Sequence, residues 1–171
     1  MAEQLDKKFK NLLICTESGL TLEEMESYIV RSELKLGQKP KLVLIDYLQL
    51  VGARGVSRRE KTSDVAEGLK VLAKRTNTII VVTSQIRRPN DDDPEVGLHD
   101  GKESGSIESS CGLLFGAWRD PNDTKLLYLK ILKSTKGGAG ITIFCNYDGA
   151  RATITERAKI SDQDLPKPHN D

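Results

Sequence analysis

What this 171-residue sequence lacks bounds it first. It has only three cysteines, Cys15, Cys111 and Cys145, widely spaced and without a CxxC pair or a His/Cys cluster. An odd, scattered set of this kind excludes a disulfide framework and a zinc site, and it points to reduced thiols in a cytoplasmic protein. All three lie in strand-like apolar segments, so buried packing is their expected role. No apolar run approaches the ~20 residues of a membrane span, and the opening MAEQLDKKFKN carries no apolar core of a signal peptide. A charge of one sign is missing as well, because 26 Lys and Arg against 25 Asp and Glu leave a net charge of +1. Without a global field, any contact with nucleic acid falls to local basic patches.

What is there is a chain of one domain's size, 37% hydrophobic and 30% charged, an ordinary globular composition. It is organised around residues 41–51, KLVLIDYLQLV. Leu42, Val43, Leu44 and Ile45 are branched and apolar without alternation, the pattern of a strand buried on both faces of a parallel sheet. Asp46 follows at its carboxyl end, where open α/β sheets place their ligands. Two readings of Asp46 stand at this point. It opens a loop or caps a helix, or it holds Mg²⁺ through water, as nucleotide-hydrolysing folds do with a hard, strongly hydrated cation.

The flanking segments give a strand–helix–strand order. Residues 11–16, NLLICT, read as a first buried strand, and 17–19 turn the chain. Thr21 and Glu24 fit a capping box that opens an amphipathic helix to about Leu36, with Leu22, Met25, Ile29 and Leu36 at helical spacing, stopped by Gly37 and Pro40. After Leu50 the composition shifts to Gly52, Arg54, Gly55, Ser57, Arg58, Arg59 and Lys61, a flexible basic loop. A helix over 62–76 carries Val65, Leu69, Leu72 and Ala73 on one face. The strand at 78–83 then ends in Ser84 and Gln85, a second polar pair on a carboxyl edge. Residues 86–102 form a long polar loop whose Asp91, Asp92 and Asp93 read as a solvated run rather than a metal site. Ser106 to Glu108 open a short helical turn. Strands at 113–118 and 125–132 flank a turn at 120–123, and a Lys/Gly-rich loop spans 133–140. A hairpin pairs 141–147 with 152–155 across Asp148 and Gly149. Residues 158–171 read as a polar, frayed tail.

The ordered set IDYLQL, a basic loop, GLKVLAKR, SQI, KESGSIE, WRD and a Lys/Gly-rich loop closely resembles the C-terminal, RecA-like motor domain of the DnaB family of replicative DNA helicases, over roughly residues 12–156. The resemblance implies an α/β fold of the RecA-like, P-loop NTPase type, a mostly parallel sheet flanked by helices with a C-terminal β-hairpin, occupying residues 1–157. It implies a hexameric ring that threads single-stranded DNA, with ATP and Mg²⁺ between neighbouring subunits. Residue by residue, Asp46 matches the magnesium-holding carboxylate and Gln85 the polar sensor that links the terminal phosphate to the DNA side. Lys102, Glu103 and Gly105 match a loop that follows the DNA backbone, with Lys where the family more often has Arg, which keeps the charge and loses the planar fork. Arg54, Arg58 and Arg59 fall where the family has another channel-facing loop, and phosphate contacts of this kind need no sequence readout.

The departures from the family pattern are equally specific. No GxxxxGK[ST] occurs, and the only Gly-Lys pair is Gly101-Lys102 without a following Ser or Thr. The family's catalytic glutamate has no counterpart, since Glu17 lies on a different strand. The KxR pair that reaches a neighbour's nucleotide reads Lys133-Ser134-Thr135, leaving Lys133 and, as a weaker substitute, Lys136. The expectation is therefore a motor domain whose first core strand and phosphate loop are missing, the downstream part of a longer or split polypeptide. It would be catalytically incomplete alone and dependent on a helicase subunit for the other half. A reading of another class is a non-enzymatic module that joins a helicase ring or binds single-stranded DNA.

Overall fold

The computed structural model describes residues 9–53, 57–86, 95–98 and 104–157. The chain divides into two compact units, residues 1–86 with 101–111, and residues 87–100 with 112–171.

In the first unit, helix α1 (Leu22–Leu36) begins where the Glu24 amide donates to the Thr21 hydroxyl at 3.3 Å and the Thr21 amide donates to the Glu24 carboxylate at 2.8 Å. This reciprocal pair satisfies two amides that a helix start leaves open. The helix ends at Gly37 with φ 68°, a left-handed cap that a Cβ would strain. Strand β1 (Leu42–Ile45) pairs in parallel with β2 (Ile79–Val82), Leu42 opposite Ile79 and Ile45 opposite Val82. Between them lie a 3₁₀ turn (Leu48–Leu50) and helix α2 (Arg58–Thr76). Helix α2 starts a turn earlier than its apolar periodicity suggests, because Ser57 and Glu60 form a second capping box. Arg59 and Lys61 are thus helical residues and not part of a loop. Ile29, Leu48, Val51, Val65, Leu69 and Leu72 form the core, with Leu48 and Leu72 only 2% exposed. Helix α3 (Ser104–Ser110) adds Ile107 to it.

Two expectations for this unit change. Residues 11–16 are not a strand and are exposed. Their apolar, branched composition supplies strand propensity, but a strand exists only through a ladder partner, and none among the described residues pairs with them. Strands β1 and β2 bury one face, Val43, Ile45, Ile80 and Val82, while Leu42, Leu44, Ile79 and Val81 are 50, 70, 66 and 47% exposed. The unbroken apolar pattern suits two covered faces, and nothing among the described residues covers the second.

The second unit is an antiparallel sheet in the order β3 (Leu113–Arg119), β4 (Leu126–Ser134), β5 (Thr142–Asp148), β6 (Thr153–Glu156). Its connections are too short for crossover helices, so its strands pair antiparallel, and among the described residues parallel pairing is confined to β1 and β2. Trp118, Tyr128 and Phe144 sit opposite one another across three strands. Trp118 stacks on Tyr128 at 5.3 Å, and Tyr128 meets Phe144 edge-on at 5.3 Å. The Asp120 carboxylate caps the β3–β4 turn by accepting the amides of Asn122 and Asp123 at 2.7 and 2.9 Å, and its other oxygen accepts the Tyr128 hydroxyl at 2.7 Å. Gly116 lies under Val96, whose carbonyl would be 3.1 Å from a Cβ there. Lys130 pairs with Glu95. Of the cysteines only Cys145 is buried; Cys111 is half-buried and Cys15 exposed, the last because its segment forms no strand.

Candidate functional site at the carboxyl ends of β1 and β2

Because β1 and β2 are hydrogen-bonded neighbours, Asp46 and the Ser84-Gln85 pair, expected at their carboxyl ends, come together. Asp46 is the first residue after β1 and is exposed. The Thr83 hydroxyl, one residue past β2, donates to Asp46 Oδ1 at 2.7 Å. The backbone continues the join: the Thr83 amide donates to the Ile45 carbonyl at 3.0 Å, and the Leu48 amide to the Thr83 carbonyl at 2.9 Å. Gln49, on the 3₁₀ turn, spans the same gap. Its Nε2 donates to Ser84 Oγ at 3.1 Å and its Oε1 accepts the Gln85 amide at 3.4 Å. Asp46 and Gln85 are expected site residues from the sequence, whereas Thr83 and Gln49 have no role assigned there. The available signal for Gln49 was a polar residue inside the apolar run YLQLV.

Beside Asp46 opens a cleft of about 230 Å³, walled by residues 15–20 and by Tyr47, Leu50 and Val51. The wall is fixed from behind. The Gly52 amide donates to the Leu20 carbonyl at 2.8 Å, and a Cβ on Gly52 would stand 2.2 Å from the Gly19 carbonyl oxygen, so only glycine allows this approach. Glu17, also on the wall, accepts the Tyr28 hydroxyl, and that bond, with burial second, raises the Tyr28 pKa above its ordinary value. Arg31 lies 5.2 Å from the Tyr28 ring centre.

The donor set fits one hydrated hard cation. Asp46 Oδ1 is taken by Thr83, and no donor among the described residues reaches Oδ2, which leaves one carboxylate oxygen for a magnesium-bound water. Mg²⁺ in phosphate chemistry commonly takes one or two carboxylates and fills its other positions with water and phosphate oxygens. No group of three or more His, Cys, Asp or Glu gathers among the described residues, so a dedicated all-protein metal cage is not present there. The phosphates of a nucleotide do not find their cradle in this sequence, which lacks the Gly-rich loop with its Lys and Ser or Thr.

The remaining expected residues fall elsewhere. Arg54, Lys102 and Glu103 lie outside the described residues, as does the side chain of Arg58. Arg59 is exposed on the first turn of α2. Gly105 is exposed in α3 with nothing within 4 Å of a Cβ added to it, so the expected loop has become helix by Ser104. In the second unit Lys133 sits on β4 rather than in a loop, and Lys136 is exposed in the turn that follows. Thr135, at the arginine position of the family's KxR pair, is held back: its amide and hydroxyl both donate to the Gly112 carbonyl, at 3.0 and 3.3 Å. No helix among the described residues is long and apolar enough to cross a membrane.

A family model described as the DnaB-like helicase C terminal domain matches residues 2–155. The replicative DNA helicase DnaB of Mycoplasma genitalium is 34% identical over 130 residues, which cover 71% of this chain and 27% of that protein. The replicative DNA helicase DnaB of Pasteurella multocida is 35% identical over 114 residues, 64% of this chain and 24% of that protein. The chain thus spans about a quarter of the length of these curated relatives. A solved structure of a DnaB-like replicative helicase and its interactions with primase aligns with a TM-score of 0.73 at 23% identity, over 86% of this chain and 38% of that one, a likeness of fold.

Proposed function

The chain belongs to the DnaB-like helicase C-terminal domain family, and from that premise we propose that residues 1–157 form the downstream part of a RecA-like motor that unwinds duplex DNA in replication once its other half is present. The observation that carries this reading is the joined tip of β1 and β2, where Asp46 offers one free carboxylate oxygen to the cleft and Gln85 stands on the adjacent strand end. Bound ATP and Mg²⁺ supply phosphoryl-transfer chemistry to such a motor. In this chain Asp46 would hold a hydrated cation through water, and Gln85 would stand as the sensor of a terminal phosphate. Lys133 and Lys136 approach the nucleotide of a neighbouring subunit in a hexameric ring. Arg54, Arg58, Arg59, Lys102, Glu103 and Gly105 follow the backbone of single-stranded DNA.

The phosphate cradle comes from a helicase subunit or segment outside this sequence. A cradle and an arginine finger each account for orders of magnitude in rate, so the chain by itself is expected to turn over ATP negligibly. The experiment measures ATPase stimulated by single-stranded DNA for the chain alone and for its mixture with a DnaB-like helicase carrying the phosphate loop. Turnover in the mixture that Asp46→Asn reduces by about a hundredfold is expected. Turnover by the chain alone at the rate of a complete helicase overturns the incompleteness, and a mixture no more active than the helicase alone overturns the motor reading. The absence of a phosphate-loop motif favours one second reading, a non-enzymatic ring or DNA-binding module. Salt-dependent binding of an oligonucleotide without any effect on turnover identifies it.

A further inference from the structure

We propose that Gln49 and Thr83 are positioning residues that clasp the ends of β1 and β2 into one tip, so that Asp46 and Gln85 shift together. The inference rests on reading Asp46 as the cation-holding carboxylate and Gln85 as the sensor.

Each strand is only four residues long, and among the described residues the two form a sheet by themselves. A two-stranded sheet of that length is weak in isolation, and beyond Ile45 and Val82 its regular ladder has ended. Past that point the two chains are joined by two backbone bonds at Thr83 and by three side-chain bonds: Thr83 to Asp46, Gln49 to Ser84, and Gln85 to Gln49. The Thr83 hydroxyl fixes Oδ1 and thereby restricts rotation of the Asp46 carboxylate. The Gln49 amide uses its donor on the Ser84 hydroxyl and its acceptor on the Gln85 amide, two successive residues just past β2, which ties that segment to the turn at Gln49. Gln49 itself is anchored, because the turn that bears it is pinned by Leu48 in the core. A displacement at Gln85 therefore has a short hydrogen-bonded path to the carboxylate, through Gln49 and Thr83.

Nuclear magnetic resonance of the full chain reads this directly. Thr83→Val keeps the shape and deletes the hydroxyl, and Gln49→Leu keeps the bulk and deletes the amide. Coupling predicts cross effects: Thr83→Val moves the Gln85 amide resonance, Gln49→Leu moves the Asp46 carboxyl carbon, and exchange of the Gln85 amide proton rises about tenfold in either. The conservative variants restore the wild-type signals. Thr83→Ser keeps the donor. Gln49→Glu accepts the Gln85 amide while the Ser84 hydroxyl turns round to donate. Effects confined to Asp46 in Thr83→Val and to Gln85 in Gln49→Leu overturn the clasp, as does failure of the conservative variants to restore the signals. In the mixture with a helicase, both deletions lower kcat about tenfold and leave KM for ATP within about threefold, since they remove alignment and not ligand contacts. Lack of turnover in the wild-type mixture refutes the motor reading instead, and the resonance data on the chain still decide the clasp.

Discussion

Tyr128 is 7% exposed, and its pKa is pushed up to about 12, first by burial and then by the Asp120 carboxylate that accepts its hydroxyl. The unfolded value is near 10, so the contribution to stability is fully present below about pH 10 and is lost as pH rises toward 12. Asp120 moves the other way. Burial opposes its ionisation, but the Tyr128 hydroxyl and the amides of Asp123 and Asn122 hold its pKa below the ordinary carboxylate value. Its contribution is present above that ordinary value and is lost as pH falls through the lowered one. Tyr128→Phe should therefore cost about 1 kcal/mol at neutral pH and weaken the fall in stability between about pH 10 and 12, read by urea unfolding at each pH. The turn at Asp120 was legible in its Asp-Pro-Asn-Asp sequence. Its bond to Tyr128 was not, because the pairing register of β3 and β4 creates that contact. The same holds at the candidate site. Asp46 announced itself at the end of an apolar run, whereas its partner Thr83 lies 37 residues away and looked like the last residue of a strand.

At the scale of elements, the two long helices begin with the same device, Thr21 with Glu24 and Ser57 with Glu60. Replacing either hydroxyl residue by Ala should lower unfolding stability by about 1 kcal/mol, measured as a shift of the urea midpoint without a change of slope. Only the first box was legible. Ser57 and Glu60 have the same spacing, but they stand in a run of Gly and Arg that reads as loop, so the expected start of α2 is about Thr62, just before its apolar face. Residues 11–16 show the opposite case, where composition argues for a strand and no strand among the described residues pairs with them. Helix signals are local and need only the chain beside them. Strand signals are completed by another segment.

At the scale of the whole molecule, the outer face of β1 and β2 is the largest departure from what the sequence leads one to expect. Leu42, Leu44, Ile79 and Val81 have the composition of a covered surface and stand open, and contiguous apolar surface of this kind promotes association. Leu44→Lys with Val81→Lys should reduce self-association in sedimentation velocity by about tenfold or more in apparent constant. It should leave the unfolding midpoint nearly unchanged, because side chains alternate and Val43, Ile45, Ile80 and Val82 face the core. The sequence already displayed both faces as apolar. No segment among the described residues covers the outer one.

The arrangement of the aromatic residues carries a practical consequence. Trp118 is the only tryptophan of the chain and stacks on Tyr128 in the antiparallel unit, while α1, α2 and α3 all belong to the other unit. Indole emission therefore reports the melting of one half, and helical ellipticity near 222 nm reports the other. The protein carries a separate, label-free optical signal for each half, and the gap between the two unfolding curves measures how strongly the halves cooperate.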